Sequence, residues 1–326
     1  MGTKRTIKKS VKNDSILLVD ALEDFLAEKE ALNKAASTIR NYRQSVGYFM
    51  EFNAFDEEST TDEIKQSQFY KWMNTMKLDG VKPTSINHYL RDCRAFFYWC
   101  MDSSRKYIEP AFKIELTGGQ EEAVKCFSED DIEILLEKPK KNAGYAEWRT
   151  WAIVNWMMAT GNRAATVCNV KIGDVDFKKH DIMLTHAKNK KVQIAHLSSG
   201  LEAPLKEFIR VWRADADKES YLFCNVGEEK LTTNALSHSF AKYCKDRGVE
   251  QTNIHGLRHS FARGWVRNNG SMFALQKILG HSTLDMTRKY VKLFAEDIKE
   301  DYEDFSPLDT MKKNARRTQS VKRSDS

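Results

Sequence analysis

Residues 252–262 read TNIHGLRHSFA and residues 279–290 read LGHSTLDMTRKY; no other part of the chain says as much about its fold. In the first stretch Asn253 can cap a helix, on which His255 and Arg258, three residues apart, share one face and can grip a single anion together. In the second, His281 stands at a break between helices, and Ser282 or Thr283 can cap a new helix that carries Tyr290 about two turns in. Two earlier elements hold further basic residues. The run GYAEWRTWAIVNWMMATG (144–161) is apolar nearly all round, which predicts a central core helix ended by Gly161, with Arg163 just beyond it beside the interior, where a charge needs a strong anionic partner. The segment AKNKK (187–191) places Lys188, Lys190 and Lys191 at the turn of a β-hairpin. Taken singly, each feature has an ordinary reading: a solvated lysine cluster, a surface His/Arg pair, a structural arginine, a core tyrosine. Their combination is the informative signal.

Outside these elements the periodicity is mostly helical. Leu17, Leu18, Ala21, Leu22, Phe25 and Leu26 form the apolar stripe of a first helix. Ser37 or Thr38 can cap a second, with Ile39, Tyr42, Val46 and Phe49, and Ser85 a later one, with Ile86, Tyr89, Cys93 and Phe96. The polar faces of these two helices carry Arg40, Arg43, Arg91 and Arg94. Periodicity lapses over 109–125, where Pro110 and Gly118-Gly119 predict an interdomain linker. Ser128 and Asp131 form the signature of a capping box, and the β-prone runs 170–175, 182–186 and 192–197 predict a small antiparallel sheet before helices resume. The expected organisation is a basic disordered arm (1–14), a helical domain (15–108), the linker (109–125), a second domain (126–293), an acidic helix (294–310) and a basic tail (311–326).

At 326 residues, length favours two domains, and 30% charged residues with short apolar runs indicate a globular chain without a membrane span or a secretory signal, expected in the cytoplasm. The six cysteines form no CxxC pair, which speaks for reduced thiols and against a cysteine-based metal site. Net charge is +6, but the arm carries +4 and the tail +5, leaving −3 for residues 15–310. Composition therefore does not make the body a nucleic-acid binder, and that reading must rest on where the basic residues sit.

The four basic elements resemble, in order and local sequence, the tyrosine recombinase (phage integrase) family. Arg163 in TGNR matches the family's first arginine, Lys188 its hairpin lysine, His255 and Arg258 its HxxR pair, and His281 and Tyr290 its LGH and nucleophile segment. STIRNYRQSVGYF and TSINHYLRDCRAFFYW are similar to its helical, SAM-like core-binding domain, so that Arg40, Arg43, Arg91 and Arg94 become candidate DNA contacts. The resemblance implies a mainly α fold with a small antiparallel sheet, in a simple two-domain, Xer-like organisation. It implies that Tyr290 cuts a DNA strand to leave a 3′-phosphotyrosyl link and a free 5′-hydroxyl. Arg163 and Arg258 would clamp the phosphate, Lys188 would act as general acid, His255 as general base, and His281 would bond a nonbridging oxygen. No metal or cofactor is implied. The implied partners are double-stranded recombination sites, a homotetramer on two such sites, and an optional directionality or accessory factor. One departure stands out: where the family usually has an acidic residue three positions after the first arginine, this chain has Thr166.

Two other readings compete. A type IB topoisomerase shares the chemistry but relaxes supercoils as a monomer, and a DNA-binding accessory protein with a weakened active site would account for Thr166. Residues 294–309 hold seven acids and one lysine, with Phe294, Ile298, Tyr302 and Phe305 at helical spacing. Such a segment would be repelled by DNA and suits docking on protein, which favours an assembling recombinase.

Overall fold

The computed structural model describes residues 16–118, 125–184, 193–281 and 283. The basic arm, the hairpin tip with Lys188, Tyr290, the acidic segment 294–310 and the basic tail lie outside the described residues. The chain divides into two compact units that part between Glu121 and Glu122. Among the described residues, no helix is long and apolar enough to cross a membrane.

The first unit is a bundle of α1 (Leu18–Ala31), α2 (Ala36–Phe52), α3 (Gln66–Leu78) and α4 (Pro83–Cys100). Its core is aromatic. Phe49 of α2 stacks on Phe69 of α3 at 4.2 Å between ring centroids and meets Phe97 of α4 edge-on at 5.1 Å, while Phe25 of α1 meets Phe96 at 5.5 Å. Edge and offset contacts of this kind add to the burial of large apolar area. Three local expectations differ from what forms. Leu17 precedes α1, bridges Thr60 and is 38% exposed, so it leaves the apolar stripe. Helix α2 starts at Ala36, ahead of Ser37 and Thr38. Helix α4 starts at Pro83, whose ring sets φ for the first helical position and needs no N–H there; Ser85 is therefore already inside the helix.

The segment expected as linker also behaves differently in its first half. Ile114 is fully buried in the core of the first unit. Its N–H donates to Tyr98 Oη at 3.0 Å, and its carbonyl accepts from Arg94 Nε at 2.6 Å. Asn87 pairs with both backbone groups of Thr117 at 2.9 Å, and Gln66 donates to the Lys113 carbonyl at 2.7 Å. An extended segment laid on a bundle must satisfy its backbone polar groups somewhere, and here side chains do it. Residues 112–117 thus form a strap on the helical unit.

The second unit is built around α6 (Tyr145–Thr160), which is buried on nearly every face, as its sequence predicts. It is preceded by α5 (Glu129–Leu136), capped by Ser128 Oγ accepting from the Asp131 N–H at 3.0 Å. After the short α7 (Ala164–Val167) come three antiparallel strands in the order β1 (Val175–Asp176), β2 (Asp181–Leu184) and β3 (Gln193–His196). Pairing runs from Asp181 opposite His196 to Leu184 opposite Gln193, so β2 and β3 are the strands on either side of residues 185–192 in the chain. Among the described residues the further helices are α8 (Ser199–Trp212), α9 (Thr233–Asp246), α10 (His255–Arg267) and α11 (Met272–Leu279). Helix α6 packs against α5, α8, α9 and α10. The six cysteines are free thiols.

Phe49 touches more of the first unit's aromatic cluster than any exposed ring does. Phe49→Ala is expected to lower the unfolding free energy of this unit by about 3–5 kcal/mol. Leu78→Ala, at a side chain 87% exposed, should stay within about 0.5 kcal/mol. Urea midpoints of the two variants, followed by near-ultraviolet circular dichroism, check both.

Candidate active site

Helix α6 ends at Gly161 in the left-handed conformation, φ 62°. A Cβ at this position would stand 2.4 Å from Phe261 Cδ1 of α10 and 2.8 Å from Leu279 Cδ2 of α11. Glycine is therefore required twice over, for the backbone turn and for the approach of two other helices. Trp156 Nε1 donates to Asn162 Oδ1 at 2.9 Å, which fixes the turn out of the helix and the place where Arg163 begins.

Arg163 and Arg258 converge on the end of α11. Leu279 is the last residue of that helix, followed by Gly280 with φ 61°, and its carbonyl has no helical N–H to accept from. It accepts instead from Arg258 Nη2 at 2.8 Å and from Arg163 Nη1 at 3.3 Å. Arg258 Nη1 donates to the Gly161 carbonyl at 2.7 Å, so one guanidinium bridges the C-terminal ends of α6 and α11. Arg258 is only 6% exposed. A buried cation is tolerable there because helix C-termini carry negative partial charge.

His281, two residues past α11, places Nε2 at 2.9 Å from Arg258 Nη2. A guanidinium has only donors, so Nε2 accepts, the imidazole is neutral and its proton sits on Nδ1. Burial, with Arg258, Arg163 and His259 nearby, holds the His281 pKa down to about 4, in agreement with that tautomer. His255 begins α10, where Asn253 Oδ1 accepts its N–H at 3.0 Å, the capping role expected of Asn253 although Ile254 occupies the cap position. Its pKa is lowered by burial first and by Arg258 and Arg163 next, which leaves a neutral imidazole able to accept a proton.

Four of the six expected catalytic residues, Arg163, His255, Arg258 and His281, thus meet at one place, although their elements are far apart in sequence. Lys188 and Tyr290 lie outside the described residues. His259 was not singled out from the sequence; its pKa is lowered by burial and by His255 and Arg258, so it belongs to the same cluster. Its spacing of four from His255 on one helix face was the available signal. Gln193, which binds the end of α11 from β3, carried no signal in the sequence.

The four candidate DNA contacts of the first unit divide. Arg40 and Arg91 are exposed. Arg43 forks onto the Glu23 carboxylate of α1, with Nη2 to Oε2 at 2.9 Å, and Arg94 holds the Ile114 strap.

Residues 125–297 match the model of the phage integrase family, and residues 19–103 match that of the phage integrase N-terminal SAM-like domain. Tyrosine recombinase XerD of Listeria innocua is 25% identical over 296 residues, covering 89% of this chain and 98% of its own. Tyrosine recombinase XerA of Pyrococcus furiosus is 25% identical over 303 residues, covering 91% and 98%. Among solved structures, XerH site-specific recombinase in a post-cleavage complex with palindromic difH substrate aligns with a TM-score of 0.68 at 21% identity over 88% of this chain and 84% of that one. A lambda integrase tetramer bound to a Holliday junction aligns with a TM-score of 0.66 at 14% identity over 85% and 78%. At these identities the structural likenesses speak for the fold. The two family matches, covering both compact units, establish that this chain belongs to the phage integrase family of tyrosine recombinases.

Proposed function

We propose that this protein is a site-specific DNA recombinase that cuts and rejoins strands through Tyr290. The observation that carries the reading is the convergence of Arg163 and Arg258 on the Leu279 carbonyl, which fixes two permanent positive charges beside neutral imidazoles. In the reaction the Tyr290 oxygen attacks phosphorus, the bond to the 5′ oxygen breaks, and a 3′-phosphotyrosyl link forms. The two guanidiniums stabilise the added negative charge of the phosphorane. His255 takes the phenol proton, Lys188 supplies one to the departing 5′ oxygen, and the Nδ1 proton of His281 bonds a nonbridging oxygen. Attack by a 5′-hydroxyl from another duplex reverses the step, and no high-energy cofactor is needed because one phosphoester replaces another.

Exchange between duplexes calls for several protomers, and a homotetramer on two double-stranded sites is the assembly we assign, with a place for an accessory or directionality factor. The apolar stripe Phe294, Ile298, Tyr302 and Phe305 supports it. A cavity of about 500 Å³ lined by Met158, Phe261, Gly264 and Trp265 offers that stripe a seat on a neighbouring protomer. A mobile genetic element and the cytoplasm suit such an enzyme.

The tests use duplexes selected for binding from a randomised pool and nicked so that the 5′-hydroxyl fragment escapes and the adduct accumulates. Tyr290→Phe should abolish the covalent adduct with binding unchanged, and Arg163→Ala or Arg258→Ala should slow adduct formation by about a hundredfold or more. An adduct that persists in Tyr290→Phe moves the nucleophile elsewhere. Cleavage at subsaturating DNA reports the free protein's base, and His255 is held below its ordinary value. The rate should therefore stay flat from alkaline pH down to about 6.5 and fall only below that. His255→Gln should lose this acid limb. Ile298→Asp should retain single-site binding on native gels and lose complexes containing two sites.

A further inference from the structure

Three positions after Arg163 this chain has Thr166, which carries no charge, and among the described residues the contact of Arg163 is with a neutral carbonyl at 3.3 Å. What aims the guanidinium is therefore the position of the end of α11. That end is itself held from outside the helix. Its last carbonyls have no helical donors, and the turn at Gly280 satisfies two of them, with the Gly280 N–H on Lys277 at 3.1 Å and the His281 N–H on Gln276 at 3.0 Å. Gln193, the first residue of β3, donates through Nε2 to the Lys277 and Ile278 carbonyls, both at 3.0 Å. Its Oε1 and Arg163 Nη1 both face Gly280, at 3.5 Å and 3.9 Å from where a Cβ on that glycine would stand. Three side chains from three separate elements thus cap one helix end. Arg163 and Arg258 take the Leu279 carbonyl, and Gln193 takes the two before it.

We propose that Gln193 is a positioning residue for the phosphate clamp: its amide holds the α11 terminus in place, and through the Leu279 carbonyl that terminus aims Arg163 and Arg258. This rests on the clamp reading given above. Carbonyls accept only, so the role requires a donor at position 193 and tolerates any side chain that brings one. A glutamate in place of Gln193 would have nearly the same shape, with two acceptor oxygens against a helix C-terminus whose partial charge is already negative. An arginine would keep the donors.

The test compares Q193E and Q193R with R163A and with the unmodified protein in single-turnover cleavage. The substrates are the selected duplexes, made with either an ordinary scissile phosphate or a methylphosphonate, in which a methyl group replaces one charged nonbridging oxygen. Displacing a clamp by a fraction of an ångström to one ångström is expected to slow cleavage by Q193E about ten- to a hundredfold, with DNA affinity unchanged. Q193R should stay near the unmodified rate. On the methylphosphonate, which offers the guanidiniums less charge to stabilise, the deficits of R163A and Q193E should shrink together. A purely structural defect would slow both substrates equally. Full activity of Q193E, an equal deficit in Q193R, or a Q193E deficit that is the same on both substrates overturns the assignment. If R163A itself cleaves normally, the clamp reading fails and the role of Gln193 fails with it; a slow R163A beside a normal Q193E rejects Gln193 alone.

Discussion

The carbonyl oxygen of Leu279 is the point on which the catalytic unit depends. It is a helix-terminal acceptor without a helical donor, and two arginines from different parts of the chain supply its hydrogen bonds. Several otherwise separate features serve that arrangement. Gly161 lets α6 stop against α10 and α11, Asn162 is pinned by Trp156 so that Arg163 leaves in a fixed direction, and Gly280 turns the chain so that His281 comes back onto Arg258. The helix termini contribute electrostatically as well: the C-terminal ends of α6 and α11 offer partial negative charge to a cation that is almost fully buried.

Burial first, and the fixed cations second, set the state of the histidines around them. His255, His259 and His281 are each held below the usual histidine range by burial and by Arg258, so the cluster gains no further charge near neutrality. Stability depends on pH as a result. The unfolded chain takes up protons below about pH 6.5 that the folded site refuses down to about 4 at His281, so this site loses stability as pH falls across that interval. A bound phosphodiester would oppose the arginines' effect and raise these values. Proton uptake and the binding of a phosphodiester at this site would therefore be coupled.

Much of the architecture was legible in the sequence because it rests on patterns of one or two turns. The all-round apolar run 144–161 gave α6 and its central place, Ser128 with Asp131 gave the cap of α5, and the β-prone runs 182–186 and 192–197 gave β2 and β3. The run 170–175 was misplaced: Ile172–Asp174 form a 3-10 turn boxed by Asp174 on the Lys171 N–H, and β1 is only Val175–Asp176. Misses occurred where a competing local device or a distant partner decides. Pro83 outranked Ser85 as a helix start, and Leu17 went to a bridge with Thr60. The strap at 112–117 reads as a linker because nothing in its own composition shows that Gln66, Asn87, Arg94 and Tyr98 will satisfy its backbone. The same limit applies to the site. Arg163, His255, Arg258 and His281 stood out through resemblance to a family, whereas the acceptor that the two arginines share is a backbone atom and Gln193 is an ordinary strand residue. Arg43 and Arg94 show the converse: arginines on a polar face can be engaged within the protein, by Glu23 and by Ile114.

The account turns on whether the two guanidiniums, fixed by the end of α11, meet the reacting phosphate. A crystal structure of the Tyr290→Phe variant bound to a selected duplex tests this most directly. The account predicts nonbridging oxygens of one backbone phosphate within about 3 Å of both Arg163 and Arg258, with both arginines still on the Leu279 carbonyl. A phosphate held elsewhere, or reached only after the arginines have left that carbonyl, would contradict it.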